Sequence, residues 1–342
     1  DAVDEVALVQ QQLSQVGTVL AGDTGDQRRL HRAQRYRQGV LSDSLVYVAG
    51  HRGLVGSAVW RALTAQGVEP VGWTSSELDL RDRDLTFEAL LQVKPDVMVM
   101  AAARVGGILA NDTAPVEFLN DNLRIQTNLF EAAHEAGVQT VVFLGSSCIY
   151  PKLAPQPIPE AAMLTGPLEE TNRAYAVAKI AGIEAVRSYR KQHGHRWISA
   201  MPTNLYGPGD NFDPVSSHVL PAMIRKFHEA GESVTLWGTG TPRREFLHAD
   251  DAAAAILHLA EHYDGDQHVN VGCGRDVSIA ELARLVAEVT GFDGDILWDT
   301  SKPDGTPRKL LDVSLLTGLG WRPRIDLRDG IASTYRWFLE HG

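Results

Sequence analysis

Leu45-Val46-Tyr47-Val48-Ala49, running straight into Gly50-His51-Arg52-Gly53-Leu54-Val55-Gly56, is the stretch from which the fold is read. A short apolar run that ends at glycine fits a strand buried on both faces. Ser57–Gln66 follows with apolar residues at helical spacing. The joint between them is a GxxGxxG loop. Glycine lets the backbone turn tightly and lets a pyrophosphate approach the helix N-terminus, whose free N–H groups and dipole favour anions. Such a pattern alone is a weak signal, because glycine also marks ordinary turns. A strand before it and a helix after it make it a nucleotide-binding unit.

Outward from this unit, short apolar runs alternate with helical patterns. Leu45–Ala49, Glu69–Trp73, Asp96–Ala101, Thr140–Leu144 and Trp197–Met201 are predicted strands; Ser57–Gln66, Asp121–Ala136 and Tyr175–Gln192 are predicted helices. Strands joined by crossover helices give a parallel sheet covered on both faces, a Rossmann-type doubly wound α/β fold. After Pro202 the chain becomes rich in Pro and Gly (Gly207, Pro208, Gly209, Pro214, Pro221, Gly238, Gly240, Pro242), which predicts a smaller, loop-rich substrate-binding region. Phe246–Glu261 is predicted as a helix and His268–Val271 as a strand returning to the sheet. The expected division is therefore 45–204 with 246–272 for the cofactor, and 205–245 with 273–342 for the substrate. The last part, Ser278 to His341, reads as helical.

Residues 1–44 have a different texture. Val6, Val9, Leu13, Val16 and Leu20 recur at spacings of three and four, predicting a short amphipathic helix, followed by a polar stretch carrying Arg28, Arg29, Arg32, Arg35 and Arg37. This extension lacks the apolar core of a signal peptide. Its role is open, a docking or dimer-stabilising helix being one reading.

Composition narrows the functional class. Across 342 residues the chain is 44% hydrophobic and 22% charged, ordinary for a soluble globular protein, with a net charge of −11 and no run of Lys or Arg to track a phosphate backbone. Nucleic acid is thus not an expected partner. No apolar run reaches the length that spans a bilayer, so no membrane partner is expected. Cys148 and Cys273 are the two cysteines, which implies no disulfide framework and a reducing, cytoplasmic setting. No metal is expected.

The chemistry-bearing residues come in order. Tyr175-Ala-Val-Ala-Lys179 is a YxxxK spacing, and residues i and i+4 share a helix face, so phenol and ammonium can serve one reacting centre. A lysine cation favours phenolate and makes the tyrosine a usable proton donor or acceptor. Ser146 stands just after the predicted strand Thr140–Leu144, at the edge where parallel sheets place ligands. Cys148 and His218 are open at this point. A free cysteine is commonly a small buried hydrophobe and a lone histidine a satisfied surface or core residue, yet each could take part in catalysis. NADPH is the expected cofactor: the second predicted strand ends Trp73-Thr74-Ser75-Ser76, with no acid until Glu77 to hold a ribose diol, while Arg52 could pair with a 2′-phosphate.

Four stretches carry a closer resemblance: Gly145-Ser-Ser-Cys-Ile-Tyr-Pro-Lys152, Pro202-Thr-Asn-Leu-Tyr-Gly-Pro208, Trp237-Gly-Thr-Gly-Thr-Pro-Arg-Arg-Glu-Phe-Leu-His248 and Ser301-Lys-Pro-Asp-Gly-Thr-Pro-Arg-Lys309. With the glycine loop and YxxxK, they make the chain from about Leu45 to His341 resemble the extended short-chain dehydrogenase/reductase superfamily. Within it the likeness is to the GDP-4-keto-6-deoxy-D-mannose 3,5-epimerase-4-reductases.

The resemblance implies a reaction. Both carbons α to the C4 ketone invert, and NADPH then reduces that ketone to give GDP-L-fucose. It implies Cys148 as base and His218 as acid for the inversions, Tyr175 as proton donor to the C4 oxygen, Ser146 as its hydrogen-bond partner and Lys179 at the nicotinamide ribose. The implied cofactor contacts are Gly50, Arg52, Gly53, Leu54, Val55, Gly56, Ser75, Ala102, Leu144, Gly145, Ser147, Lys179, Pro202, Asn204, Leu205 and His218. For the GDP-sugar, Lys226, Arg244 and Lys309 are implied at the diphosphate and ribose, Trp237 beside the nucleotide and Asp304 at hydrogen-bonding groups.

Two departures stand out. No arginine closes the second strand, which leaves Arg52 with Ser75 and Ser76 for a 2′-phosphate. Lys226 replaces a customary arginine, a point charge for a bidentate fork. A homodimer through the 175–192 and 121–136 helices is also implied. Two other readings are weaker: a 4,6-dehydratase would need an acid beside the catalytic serine, where Ser147 and Cys148 stand, and a 4-epimerase has no use for the Cys/His pair. A non-catalytic cofactor sensor commonly loses the Tyr or the Lys, and both are here.

Overall fold

The computed structural model describes residues 41–214, 216–302 and 304–342. The predicted amphipathic helix over Val6–Leu20 lies outside these residues. Along the chain run β1 (Val46–Ala49), α1 (Leu54–Ala65), α2 (Arg83–Val93), β2 (Val97–Met100), α3 (Pro115–Ala136), β3 (Thr140–Leu144), α4 (Arg173–His193), β4 (Ile198–Pro202), β5 (Asn204–Tyr206) and α5 (Val219–Glu229). There follow β6 (Ser233–Trp237), β7 (Arg243–His248), α6 (Ala249–His262), β8 (Val269–Val271), β9 (Asp276–Ser278), α7 (Ile279–Thr290), β10 (Asp295–Asp299), β11 (Arg308–Lys309) and α8 (Leu327–His341).

The central sheet is parallel throughout, in the order β1-β2-β3-β4-β8. Successive residues of a strand face opposite sides, and here both sides are apolar. Tyr47, Met98 and Phe143 pack under α2, α3 and α4 through Leu90, Phe130 and Ile183. Val46, Val48, Val97, Val99 and Val142 pack under α1 and α6 through Val59, Leu63, Ile256 and Leu259. Burying each such large apolar side chain contributes roughly 1.5–3 kcal/mol. Helix ends follow the sequence: α3 begins at Pro115, where a missing N–H costs nothing, and Gly137 and Gly194, at φ +73° and +72°, stop α3 and α4.

Three expectations are corrected. The strand predicted over Glu69–Trp73 shrinks to a bridge from Val71 to Tyr47. Val71 donates to the Val46 carbonyl and accepts from the Val48 N–H, both at 2.8 Å, but Pro70 has no N–H with which to extend the ladder. Phe246–His248 is not helical: it ends β7, pairing with Asn204–Tyr206, and α6 starts at Ala249 with the His248 ring accepting from the Asp250 N–H. The stretch from Ser278 to His341 is not helical throughout, because β10 and β11 interrupt it to pair with β6 and β7.

Val71 lies on one side of β1 and β2 on the other, so the chain reverses direction across the sheet at the C-terminal end of β1, where such folds open a crevice. A third core gathers α5, β6, α7 and α8 around Ile224, Phe227, Leu236, Val286 and Phe338. Among the described residues no helix is long and apolar enough to cross a membrane.

Candidate active site

The glycine loop has the shape that an anion cradle requires. Gly50 adopts φ +79°, and a side chain there would come within 2.7 Å of the Ala102 backbone. A Cβ on Gly56 would lie 2.1 Å from the Gly50 carbonyl oxygen. Gly53 caps α1 with no side-chain hydrogen bond, which leaves the first amides of the helix, at Leu54, Val55 and Gly56, without a capping side chain. Those amides, the glycine cradle and the nearby backbone of Ala102 fit a dinucleotide pyrophosphate.

At the rim, Arg52, Ser75 and Ser76 are exposed. Glu77, the acid nearest the end of the second strand, is turned inward: its carboxylate accepts from the Thr74 N–H at 2.7 Å and the Thr74 hydroxyl at 2.8 Å. An acid occupied in this way is poorly placed for a ribose diol, which favours a 2′-phosphorylated cofactor.

β3 delivers the next group. The strand ends at Leu144, and a Cβ on the following Gly145 would meet the Met201 sulfur at 2.3 Å, so the ends of β3 and β4 are tightly packed here. The chain then turns through Ser147–Ile149, with Ser147 buried and the Ser146 hydroxyl accepting from the Cys148 N–H at 3.3 Å. Tyr175 and Lys179, one turn apart on α4, point to the same place. The Ser146 side chain is close enough to the Tyr175 phenol to favour its ionised form. Lys179 is 3% exposed; its ammonium donates to the Leu144 carbonyl at 2.8 Å and stands 5.7 Å from the Tyr175 ring centre.

The expected lowering of Tyr175 by Lys179 is not what this arrangement gives. Burial pushes the phenol above its ordinary range, the neighbouring Cys148 adds to that, and the Ser146 side chain opposes it. Burial also pulls Lys179 down to about 8, so the ammonium itself yields its proton readily and is already engaged by Leu144. Tyr175 is thereby held as a neutral phenol, the form that donates a proton.

Cys148 is half-buried and approached by two groups that the sequence reading did not connect to it. The Asn172 amide donates to its sulfur at 3.2 Å, and the Lys309 ammonium lies 3.9 Å away. Lys309, implied at the diphosphate, therefore sits beside the candidate base. Asn172, three residues before Tyr175, was missed because an asparagine at a helix start reads as a cap. His218 stands at the N-cap of α5 with its ring free of any cap bond, two residues after Ser216, whose carbonyl accepts from the Gly107 N–H at 3.1 Å. Its ring is accessible, yet the surrounding protein strips away enough water to lower its pKa.

Farther out, Arg244 on β7 and Lys309 on β11 are register partners, and burial lowers the Arg244 pKa. Lys226 reaches the Thr235 carbonyl at 3.5 Å. Trp237 is 65% exposed, with Lys302 5.6 Å over its ring. An exposed indole is suited to stacking on a base. Asp304 is turned onto Thr239, accepting from its N–H at 2.7 Å and its hydroxyl at 2.8 Å, so it shapes the 238–240 turn. Pro202, Asn204 and Leu205 lie at the C-terminal edge of the sheet, with the Asn204 amide on the Glu245 carbonyl at 2.8 Å. Glu245 was also missed: fully buried, it accepts from Leu311 and Gly274 and holds the β11 segment against β7.

A dinucleotide cradle beside a Ser–Tyr–Lys constellation defines an NAD(P)-dependent short-chain-type oxidoreductase. Residues 46–272 match the NAD dependent epimerase/dehydratase family, and the chain belongs to that family. It is 56% identical to GDP-L-fucose synthase 1 of Arabidopsis thaliana over 301 residues, 86% of this chain and 93% of that protein. To the GDP-L-fucose synthase of Escherichia coli it is 51% identical over 315 residues, 88% and 98% of the two chains. Among solved structures, a GDP-L-fucose synthetase from Naegleria fowleri bound to NADP superposes with a TM-score of 0.80 at 28% identity, over 87% of this chain and 94% of that one.

Proposed function

We propose that the chain is a GDP-L-fucose synthase: it inverts C3 and C5 of GDP-4-keto-6-deoxy-D-mannose and reduces the C4 ketone with NADPH. The observation that carries this reading is the meeting of Ser146, Cys148 and Tyr175 at the end of β3. A plain reductase needs the serine and tyrosine, and only carbon-centred proton transfer needs the thiol. The high identity to curated GDP-L-fucose synthases of plant and bacterial origin supports the same reaction.

In this reading Cys148 takes the proton from the carbon α to the ketone, and Asn172 and Lys309 hold the sulfur in place. His218 returns a proton on the opposite face. The surrounding protein lowers its pKa, and an anionic sugar nucleotide in the cleft favours its protonated form. NADPH, when bound at the glycine cradle, supplies the hydride for C4. Ser146 hydrogen-bonds the ketone oxygen, and Tyr175 gives that oxygen its proton. Lys179, with Pro202, Asn204 and Leu205, lines the nicotinamide end, and Arg52 with Ser75 meets the 2′-phosphate. Arg244, Lys226 and Trp237 hold the GDP moiety. Residues 45–204 with 246–272 serve the cofactor, and 205–245 with 273–342 the sugar nucleotide. The protein works as a homodimer in the cytoplasm.

The test is to mix the protein with GDP-4-keto-6-deoxy-D-mannose and NADPH, follow cofactor absorbance and identify the product by NMR. GDP-L-fucose is the expected product. A reduced sugar not inverted at C3 or C5 would retain the reductase and remove the epimerase, and no oxidation by a protein that binds NADPH would remove both.

A further inference from the structure

Asn270 lies on β8 with no exposed surface, and its side chain meets three separated segments of chain. Its carbonyl oxygen accepts from the Tyr150 hydroxyl, two residues beyond Cys148. Its amide donates to the Ile158 carbonyl at 2.9 Å and the Asp312 carbonyl at 3.0 Å, the latter three residues beyond Lys309. Its backbone N–H donates to Glu160 at 3.1 Å. Ile158 in turn donates to Leu310 at 2.8 Å and accepts from Asp312 at 2.9 Å, which closes the two loops on one another. His268 completes the set from the other side, 3.0 Å from the Tyr150 hydroxyl. Arg187 approaches the other nitrogen of that ring, which assigns the tautomer that donates to Tyr150, and burial with Arg187 holds His268 neutral.

We infer that Asn270, through Tyr150, is a positioning residue for the carbon-inverting half of the reaction and not for the hydride-transferring half; the inference rests on the function proposed above. The segments it joins carry Cys148 and Lys309, whose sulfur–nitrogen separation of 3.9 Å is set by nothing in the local sequence. Of the reducing groups, Lys179 is held by the Leu144 carbonyl, Tyr175 is carried by α4, and Ser146 enters its turn directly from the end of β3, ahead of Tyr150. A buried polar cluster with its bonds satisfied specifies one arrangement, and a reacting group displaced by about 1 Å loses on the order of 10²-fold in rate.

The experiment uses Tyr150→Phe, which keeps the ring and removes the hydroxyl, and Asn270→Asp, which keeps the volume and removes both amide donors. Two rates are read: deuterium wash-in from solvent at C3 and C5 of GDP-4-keto-6-deoxy-D-mannose, and NADP⁺ reduction by GDP-L-fucose, which reports hydride transfer with no inversion. The expected result is wash-in lowered about 100-fold in both variants, with NADP⁺ reduction and the KM for GDP-L-fucose at wild-type values. Equal loss of both rates, no loss of wash-in, or loss of the fold in both variants would overturn the inference. Absence of wash-in in the wild-type protein would instead remove the proposed function on which it rests.

Discussion

Gly56→Ala tests the cofactor cradle at its tightest point. The added methyl would lie 2.1 Å from the Gly50 oxygen, 2.7 Å from the Gly50 carbonyl carbon and 2.9 Å from the His51 Cα. All three are backbone atoms, so no side-chain rotation relieves the contact. Restoring ordinary carbon–oxygen contact needs α1 and the loop to part by about 1 Å. That displacement breaks the 3.0 Å bond from Gly53 to the Gly50 carbonyl and draws the α1 amides away from the pyrophosphate. Two charge-assisted hydrogen bonds lost at about 1.5 kcal/mol each come to roughly 3 kcal/mol, or about two orders of magnitude in Kd. Calorimetric titration with NADPH measures this directly. Gly231→Ala is the control, because a Cβ there meets nothing within 4 Å. A Gly56→Ala protein that binds NADPH as the wild type does would refute the cradle, whatever its activity.

Tyr175→Phe removes the phenol beside Ser146 and should cut reduction by at least ~100-fold with NADPH affinity intact, as a stopped-flow trace of cofactor oxidation would reveal. Cys148→Ala should abolish deuterium incorporation at C3 and C5, and unchanged exchange would take Cys148 out of the reaction. Because Glu77 is folded onto Thr74, kcat/KM for NADPH should exceed that for NADH; the reverse order would show that Arg52 reads no phosphate. Asp210 gives a pH test. Burial lifts its carboxyl from 3.8 to about 7, and its Oδ2 has no hydrogen-bond partner. The native state therefore binds the proton more tightly than the unfolded chain, so stability is lost as pH rises between those values. Asp210→Asn should raise the Tm at pH 8, a gain on the order of 4 kcal/mol that shrinks toward pH 4. An equal Tm difference at both pH values would count against a buried, protonated Asp210.

Much of this molecule is written locally. The doubly wound sheet follows from β-branched runs with apolar residues on both sides, separated by helical periods, because strand and helix repeats of two and 3.6 residues are visible within a dozen positions. GxxGxxG and YxxxK are legible for the same reason: a tight turn and one helix face each fix geometry between near neighbours. Where local pattern misled, a neighbouring group decided. Val46–Val48 needed only one residue of the 69–73 stretch once Pro70 withheld its N–H, and β5 drew Phe246–His248 into a strand that the helical pattern beyond it had masked.

What the tertiary structure alone decided is how the candidate reacting groups are held. Lys309 and Cys148 are 161 residues apart in sequence and 3.9 Å apart in space. No periodicity links them, and by type Lys309 reads as one more cation for a diphosphate. Asn172 on the sulfur, Glu77 folded away from the rim and Asn270 joining three loops are likewise partnerships between segments whose approach is set by packing across the sheet edge. The sequence by itself determined which chemistry-bearing side chains exist and on which elements they sit, because those follow from short-range repeats. Which of them touch was decided by long-range closure of the chain, where burial leaves each polar group one or two partners and excludes the rest.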